Sequence, residues 1–560
     1  MKANEINFLK FLEPRNQFFV PIFQRRYSWE KKHCNQLWND VLRIGQNDEI
    51  LSYFLGSIVY MKDGEAPIGT VSRFLVIDGQ QRLVTLSLLI RALGETIHEH
   101  CSKIGITQDQ LSNFYLFNNM ADGESRHKLL LTRSDKSTLI QLLNGRIDCN
   151  EPPADASVRL LENYQFFKAQ LNPNNLGAVY TGIQKLMIVG IILESPGDNP
   201  QLIFDSLNST GLELSEADRI RNYVLMGQGT EFQNKLYENY WSPIEDRFGN
   251  EYANWFDLFI RDYLTLKTRQ IPNINSVYDK FKAYIPNTTN SEKLEKIIAK
   301  IAHYSKHYVK FALLRENDSD FRECFEDIDE LEAGVARPFL LEVYEDHTQG
   351  KIEKTEVIEI FRLVESYVFR RAISGVPTNS LNKIFASLMR EVDKDKYLES
   401  LKAVFLRLID NRRYPLDAEF KEKFILKDVY NFKRRNYLLR KLEEYEHKES
   451  INPNEYTVEH VMPQNPNLSD EWKKELGQNW QEVQEKYLHT IGNITLTRYN
   501  SELKDLPFME KKERKPGGFR DSRLRLNDSL VQARKWDEAN IRSRAEELAE
   551  KALKIWISPE

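Results

Sequence analysis

Cysteine is scarce: the chain carries four in 560 residues, Cys34, Cys101, Cys149 and Cys324, and no CxxC pair. That excludes a zinc ribbon and a disulfide framework, and it sets the expectation of a reducing, cytoplasmic setting. Long hydrophobic runs are also lacking. The stretch Leu83–Ile90 is interrupted by Thr85 and Ser87 and is far too short to span a bilayer, so no membrane partner is expected. The first residues, Met1–Asn7, lack the apolar core of a signal peptide. No charge sign dominates. A net charge of −5 argues against polyanion binding by the whole surface while leaving room for a local basic groove. There is no GxxxxGK[ST] phosphate loop, so a nucleotide would have to be held another way. Internal repeats and low-complexity tracts are missing as well. What remains, 41% hydrophobic and 29% charged residues, describes a globular protein whose length predicts two to four domains.

Three textures follow one another. Residues 1–230 mix strand-like runs with helices. Phe54–Met61 and Ser72–Asp78 flank a loop with Asp63-Gly64 and read as a hairpin-like pair, and Gln80 to about Leu93 reads as a helix. Residues 231–450 are nearly all helical, with Leu294, Ile297, Ile298, Ile301, Tyr304 and Tyr308 marking one stripe. The break at Lys448–Asn454 is the best boundary before a unit of residues 451–560.

That last unit carries the sharpest chemistry. Tyr456-Thr-Val-Glu-His-Val-Met-Pro-Gln-Asn465 is a β-branched run ending in an acid, a histidine and a proline. Leu488-His-Thr-Ile-Gly-Asn-Ile-Thr-Leu-Thr-Arg-Tyr-Asn500 follows, then Lys504. A phosphodiesterase needs a base to deprotonate water and a divalent cation to offset charge on the phosphate. A histidine beside an acid, with an asparagine returned by a second strand and helix, supplies both in a small ββα unit.

In the N-terminal region, Phe74-Leu-Val-Ile-Asp-Gly-Gln-Gln-Arg82 runs a strand into Asp78, turns at Gly79 and starts a helix with Gln80, Gln81 and Arg82. Free backbone N–H groups at a helix start, with an arginine, suit a phosphate, and Asp78 could recruit Mg²⁺ or orient a water. Val20–Trp29 places Gln24 and Arg25 between aromatics. Phe204–Asp218 carries Asn208 and ends in a capping box of Ser215 and Asp218.

The EHxxPQ and GNxTL blocks, followed by an asparagine and a lysine, resemble the HNH (ββα-metal) nuclease motif at the C-terminus of GmrSD-type restriction enzymes. They are also similar to the HNH domain of CRISPR RNA-guided nucleases. The resemblance implies His460 as general base, Glu459 and Asn500 as metal ligands, Asn493 holding the loop that orients the histidine, and Lys504 near the phosphate. His489 is read as a supporting residue. Trp536–Ile541, Arg544, Leu548 and Ile555-Trp556 match the closing helix of that domain. The N-terminal blocks resemble the other half of the same family, a ParB/sulfiredoxin-like module whose DGQQR box is associated with NTP binding and hydrolysis. Carried over, Asp78, Gly79, Gln80, Gln81 and Arg82 form the nucleotide box, faced by Gln24 and Arg25, with Asn208 and Asp218 as weaker members.

The implied fold is a predominantly helical α+β multidomain chain: the ParB-like module, a helical connecting region and the HNH domain. The implied function is an NTP-regulated, modification-dependent (type IV) DNA endonuclease in antiphage defence. It would use Mg²⁺ or Mn²⁺ and an NTP of unspecified base, acting on modified phage DNA; a homodimer is one assembly this reading allows. Three alternatives stay open: a phosphorothioate-sensing nicking nuclease, a nucleotide-switched DNA-binding scaffold with an inactive HNH unit, and an RNA-targeting toxin.

Other signals carry less weight. His303 and His307 are spaced to share a helix face, but no HExxH pattern surrounds them and they are expected to face solvent opposite the apolar stripe. Arg370-Arg371, Lys433–Lys441 and the basic run Lys504–Arg525 read as phosphate contacts or solvated faces. The aromatics Trp241, Phe248, Tyr252, Trp255, Phe256 and Phe259 are expected in the core.

Overall fold

The computed structural model describes the chain apart from residues 65–66, 68–69, 103, 150, 195–202, 204–214, 227, 287–288 and 447–451. It divides into two compact units. One comprises Met1–Pro243 with Ile285–Thr289, the other Ile244–Tyr284 with Asn290–Glu560.

The first unit is built on a six-stranded mixed sheet. Its strands are β1 (Lys2–Asn7), β2 (Asn16–Phe19), β3 (Tyr53–Lys62), β4 (Ser72–Asp78), β5 (Leu129–Leu130) and β6 (Leu186–Leu193), in the order β1-β6-β3-β4-β2-β5. β3 and β4 pair antiparallel, as the hairpin-like pattern predicts, with a register shift between Val59 and Tyr60 next to the Val59–Asp78 pair. Such a bulge bends the strand and re-aims the side chains beside it. β6 was not foreseen. Its run Leu-Met-Ile-Val-Gly-Ile-Ile-Leu lies between β1 and β3 and has no polar side chain, so the sequence lacks the polar–apolar alternation that marks a half-exposed strand. The helix expected from Gln80 extends from Gln80 to Glu99, and fifteen of its twenty residues are buried. It is therefore a core helix with little exposed surface.

The second unit is helical, with a two-stranded sheet. Helices Tyr252–Thr268, Ser291–Ala312, Ser319–Glu330, Arg337–Thr348, Lys354–Ile373 and Arg435–Glu444 precede β7 (Thr457–His460) and β8 (Ile494–Thr497), which pair antiparallel. The helix Glu538–Ile555 closes the unit, and Trp556 just beyond it stacks on Phe369 at 3.9 Å between ring centroids. The Trp556 indole N–H donates to the Tyr437 hydroxyl at 2.7 Å. Phe248, Phe256 and Phe259 are fully buried, as expected of core aromatics.

Three expectations about charged residues are corrected. Arg370 and Arg371 are buried, not solvated: Arg370 Nε donates to the Trp556 carbonyl at 2.7 Å, and Arg371 to those of Pro377 and Asn411. In the Lys433–Lys441 stretch, Arg440 and Lys441 turn inward to Asp327 at 2.6 and 2.9 Å. Lys511 and Lys512 are buried, so only part of the basic run faces solvent. Sequence patterns misplace these residues because a long cationic side chain with an internal carboxylate or carbonyl partner packs as core. Among the described residues, no helix is long and apolar enough to cross a membrane.

Candidate functional site

The C-terminal constellation is assembled by the β7–β8 hairpin. His460 ends β7 opposite Ile494, and both it and Glu459 are buried. Asn493, with no exposure, uses its whole amide. Its Oδ1 accepts from the Met462 N–H at 2.7 Å and the Trp536 indole N–H at 3.2 Å, while Nδ2 donates to the Met462 and Leu488 carbonyls. Asn493 thus ties the segment after His460 to the segment before β8. Arg544, fully buried, donates to the carbonyls of Ile491, Gly492 and Ile494 and locks the same turn onto the closing helix.

Both nitrogens of His460 are engaged. Its Nε2 lies 3.1 Å from His489 Nδ1, and the Gln464 side-chain amide donates to its Nδ1 at 2.7 Å. Tyr430 packs on the ring at 4.6 Å between centroids. Burial, with further contributions from His489, Lys511 and Arg435, pushes the imidazole down to about 3, so it is neutral at pH 7. Gln464 belongs to the EHxxPQ block, but its contact with the histidine was not foreseen.

Glu459 carries the largest surprise. Lys511 Nζ lies 2.6 Å from Glu459 Oε1 and donates at 2.8 Å to the His460 carbonyl, in a pocket where neither charged group is exposed. Burial raises the Glu459 pKa against the pull of Lys511 and lowers that of Lys511 against the pull of Glu459. Lys511 was visible only as one cation in a basic run, and nothing in its spacing signalled a partner 52 positions away. Asn500 donates through Nδ2 to the Val458 carbonyl at 2.6 Å, and Lys504 is exposed at a left-handed φ of 34°. Of the two residues expected to hold a divalent cation, Glu459 could offer Oε2 and Asn500 could offer Oδ1. Both are hard oxygens of the right kind, although a cation on Glu459 shares that carboxylate with Lys511.

The N-terminal constellation centres on the start of the helix Gln80–Glu99. Gly79 takes φ 89°, a left-handed conformation that disfavours other residues, and a Cβ there would lie 2.9 Å from the Ser57 carbonyl oxygen. The cap makes no side-chain hydrogen bond, so the N–H groups of the first turn are left for water or an anion. Gln80 and Gln81 are buried, however, and serve the segment Gln24–Trp29. Gln80 donates to Gln24 Oε1 and the Arg25 carbonyl, while Gln81 accepts from the Ser28 and Trp29 N–H groups and donates to the Arg26 carbonyl. Gln24 in turn donates to the Ile77 carbonyl at 2.7 Å. Arg82 donates to the Ser57 carbonyl at 2.8 Å and crowds Gly56, whose Cβ would come within 2.9 Å of the guanidinium carbon.

Asp218 joins this group through a residue the sequence did not single out. Buried Arg221 pairs with Asp218 at 2.6 Å and donates to the Phe23 carbonyl at 2.9 Å. Ser215 caps the helix Glu216–Leu225 by accepting from the Asp218 N–H, which is half of the expected capping box; the Asp218 carboxylate is engaged by Arg221. Asp78, Arg25 and Arg82 remain partly exposed around the helix start. Asn208 lies outside the described residues.

Comparison with known families gives these sites a class: the chain is a restriction endonuclease, a hydrolase acting on DNA. The family model described as "GmrSD restriction endonuclease, N-terminal domain" matches residues 8–225, and the one described as "GmrSD restriction endonucleases, C-terminal domain" matches residues 414–551. The chain belongs to the GmrSD family. No curated protein matches it. The first match takes in Gln24, the Asp78–Arg82 box and Asp218, and the second takes in every residue of the β7–β8 constellation named above.

Proposed function

We propose that the chain is an NTP-regulated, modification-dependent DNA endonuclease of antiphage defence, cutting at an HNH-type site on the β7–β8 hairpin. The observation that carries this reading is the neutral, doubly supported imidazole of His460. With Nε2 carrying the proton toward His489 Nδ1, Nδ1 is the basic atom, and a water taking the place of the Gln464 amide is positioned to lose its proton there. His489 then plays the orienting part, holding the tautomer and sharing the imidazolium charge. Asn493 fixes the loop, and Lys504, being exposed, is free to approach a phosphate. Glu459 and Asn500 would hold a divalent cation, Mg²⁺ or Mn²⁺, which when bound supplies charge neutralisation at the scissile phosphate.

In the N-terminal unit, Asp78, Arg25, Arg82 and the first-turn N–H groups form the face an NTP would meet. Gln24, Gln80 and Gln81 position that face through the bonds described above. Of the alternatives, the phosphorothioate-sensing nicking nuclease shares the same cutting chemistry. Against the scaffold reading stands the full set of Glu459, His460, Asn493 and Asn500.

The test is a cleavage assay of the wild type and His460→Ala. Unmodified, glucosyl-hydroxymethylcytosine and phosphorothioate DNA are each offered with Mg²⁺ or Mn²⁺, with and without NTP. Cleavage of one modified DNA, lost in the variant, is the expected outcome. NTP hydrolysis without cleavage of any DNA would overturn the nuclease reading in favour of the scaffold or an RNA target.

A further inference from the structure

The central helices bring together three side chains of metal-ligand type, His303, His307 and Glu345, of which the two histidines were expected to face solvent. That expectation is corrected by the structure: His307 is buried, and only His303 reaches the surface, with its side chain 46% exposed. The two histidines are four residues apart on the helix Ser291–Ala312, so their rings project from the same face. Facing them, the helix Arg337–Thr348 supplies buried Glu345. One carboxylate oxygen, Oε2, lies 2.7 Å from His303 Nε2 and 2.8 Å from His307 Nε2, and the two Nε2 atoms are 3.3 Å apart.

We propose that His303, His307 and Glu345 bind a transition-metal ion of the zinc type, clamping the helix Ser291–Ala312 to the helix Arg337–Thr348. Tetrahedral zinc with bonds of about 2.0–2.1 Å separates its ligand atoms by roughly 3.3 Å. The two imidazole nitrogens already stand at that spacing, and Glu345 needs to retreat by only about half an ångström to complete the triangle. Its other oxygen is held by Gln349, and the Thr348 hydroxyl reaches the carboxylate at 3.4 Å, so the ligand is steadied from behind.

Burial holds the His307 imidazole below its ordinary pKa against the pull of Glu345, which favours the neutral form a metal requires. The nearby Lys310 ammonium is paired with Glu316 at 3.1 Å. Half-exposed His303 leaves a route from solvent and a fourth position for water. Two imidazoles and one carboxylate select Zn²⁺, Co²⁺ or Ni²⁺ over Mg²⁺, which prefers oxygen donors throughout. Mg²⁺, one of the two ions proposed for the β7–β8 site, therefore does not compete for this one. The proposal stands or falls independently of the nuclease reading.

The test uses the full chain, stripped with a chelator and held in excess Mg²⁺, then titrated with Zn²⁺ and separately with Co²⁺. One equivalent of Zn²⁺ is expected to bind and raise the melting temperature, and Co²⁺ is expected to give the strong visible bands of a four-coordinate site. His303→Ala and Glu345→Gln should each weaken binding by roughly ten-fold or more and remove the thermal gain. His460→Ala should bind as the wild type does. The exposed position of His303 makes its variant the safer of the two for folding, and metal-free melting of each variant checks this. Absence of saturable Zn²⁺ binding in the wild type, or undiminished binding in folded His303→Ala, overturns the proposal.

Discussion

His460 Nε2 and His489 Nδ1 stand 3.1 Å apart, while the His489 backbone carbonyl accepts from the Val429 N–H at 2.8 Å and the Tyr430 N–H at 3.3 Å. One residue therefore orients the proposed base and ties its loop to the segment that carries Tyr430. His489→Ala is expected to lower cleavage by about ten- to a hundred-fold. His460→Ala should lose the larger factor, about 10²–10⁴, that a positioned general base supplies. Single-turnover rates on the cleaved DNA, with melting curves for both variants, measure the difference.

The same histidine sets a pH dependence of stability. Its folded pKa lies near 3, below the value of about 6.5 for an unfolded histidine, so between those limits only the unfolded chain binds the proton. This contribution is fully present above about pH 6.5 and declines as pH falls, by up to about 1.4 kcal/mol per pH unit. His460→Gln should flatten the acid side of a plot of denaturation midpoint against pH between 6.5 and 4. An unchanged slope would show that the imidazole accepts a proton in the folded chain.

The buried pair Glu459–Lys511 should show strong coupling. Lys511→Met leaves a carboxylate without its cation in a dry pocket, an arrangement that costs about 3–5 kcal/mol. Adding Glu459→Gln should recover much of that loss. A double-mutant cycle by chemical denaturation reads the coupling directly, and additive losses would contradict it.

Asn493 fills four hydrogen bonds with no exposure, so Asn493→Ala should cost roughly 2–4 kcal/mol by stranding the Met462 N–H and the Trp536 indole. Cleavage measured well below the melting temperature should also fall, because the loop after His460 loses its tie. A drop in stability with full activity would reduce Asn493 to a scaffold role.

The two halves of the DGQQR box should separate by readout. Asp78→Ala and Arg82→Ala are expected to abolish NTP hydrolysis with modest effects on melting. Gln81→Ala should lower stability by about 1–3 kcal/mol by releasing the Ser28 and Trp29 N–H groups. Hydrolysis unchanged in Asp78→Ala would make the box structural.

Much of this was legible because it is local. The strand pair β3–β4, the turn at Gly79, the helix after it and the cap at Ser215 are written in neighbouring residues. So is the order of Glu459, His460, Asn493 and Asn500 around a hairpin. What escaped is long-range. The partner of Glu459, the role of Arg221, the burial of Arg370 and the approach of Glu345 to His303 and His307 each join residues from separate elements. A helical period assigns a polar residue to the outside by default, and only the fold reveals the carboxylate or carbonyl waiting within.

Trp556 has a consequence for how this nuclease can be divided. Its ring is sandwiched into the same helices that supply Phe369, Arg370 and Tyr437, and Tyr430 of the preceding segment covers His460. A fragment starting at residue 451 would carry the motif yet strip away the roof of its base and leave an indole searching for a lost socket. The proposed cutting site is therefore a joint property of the hairpin and the helices before it, and is not expected to work as a separate cassette.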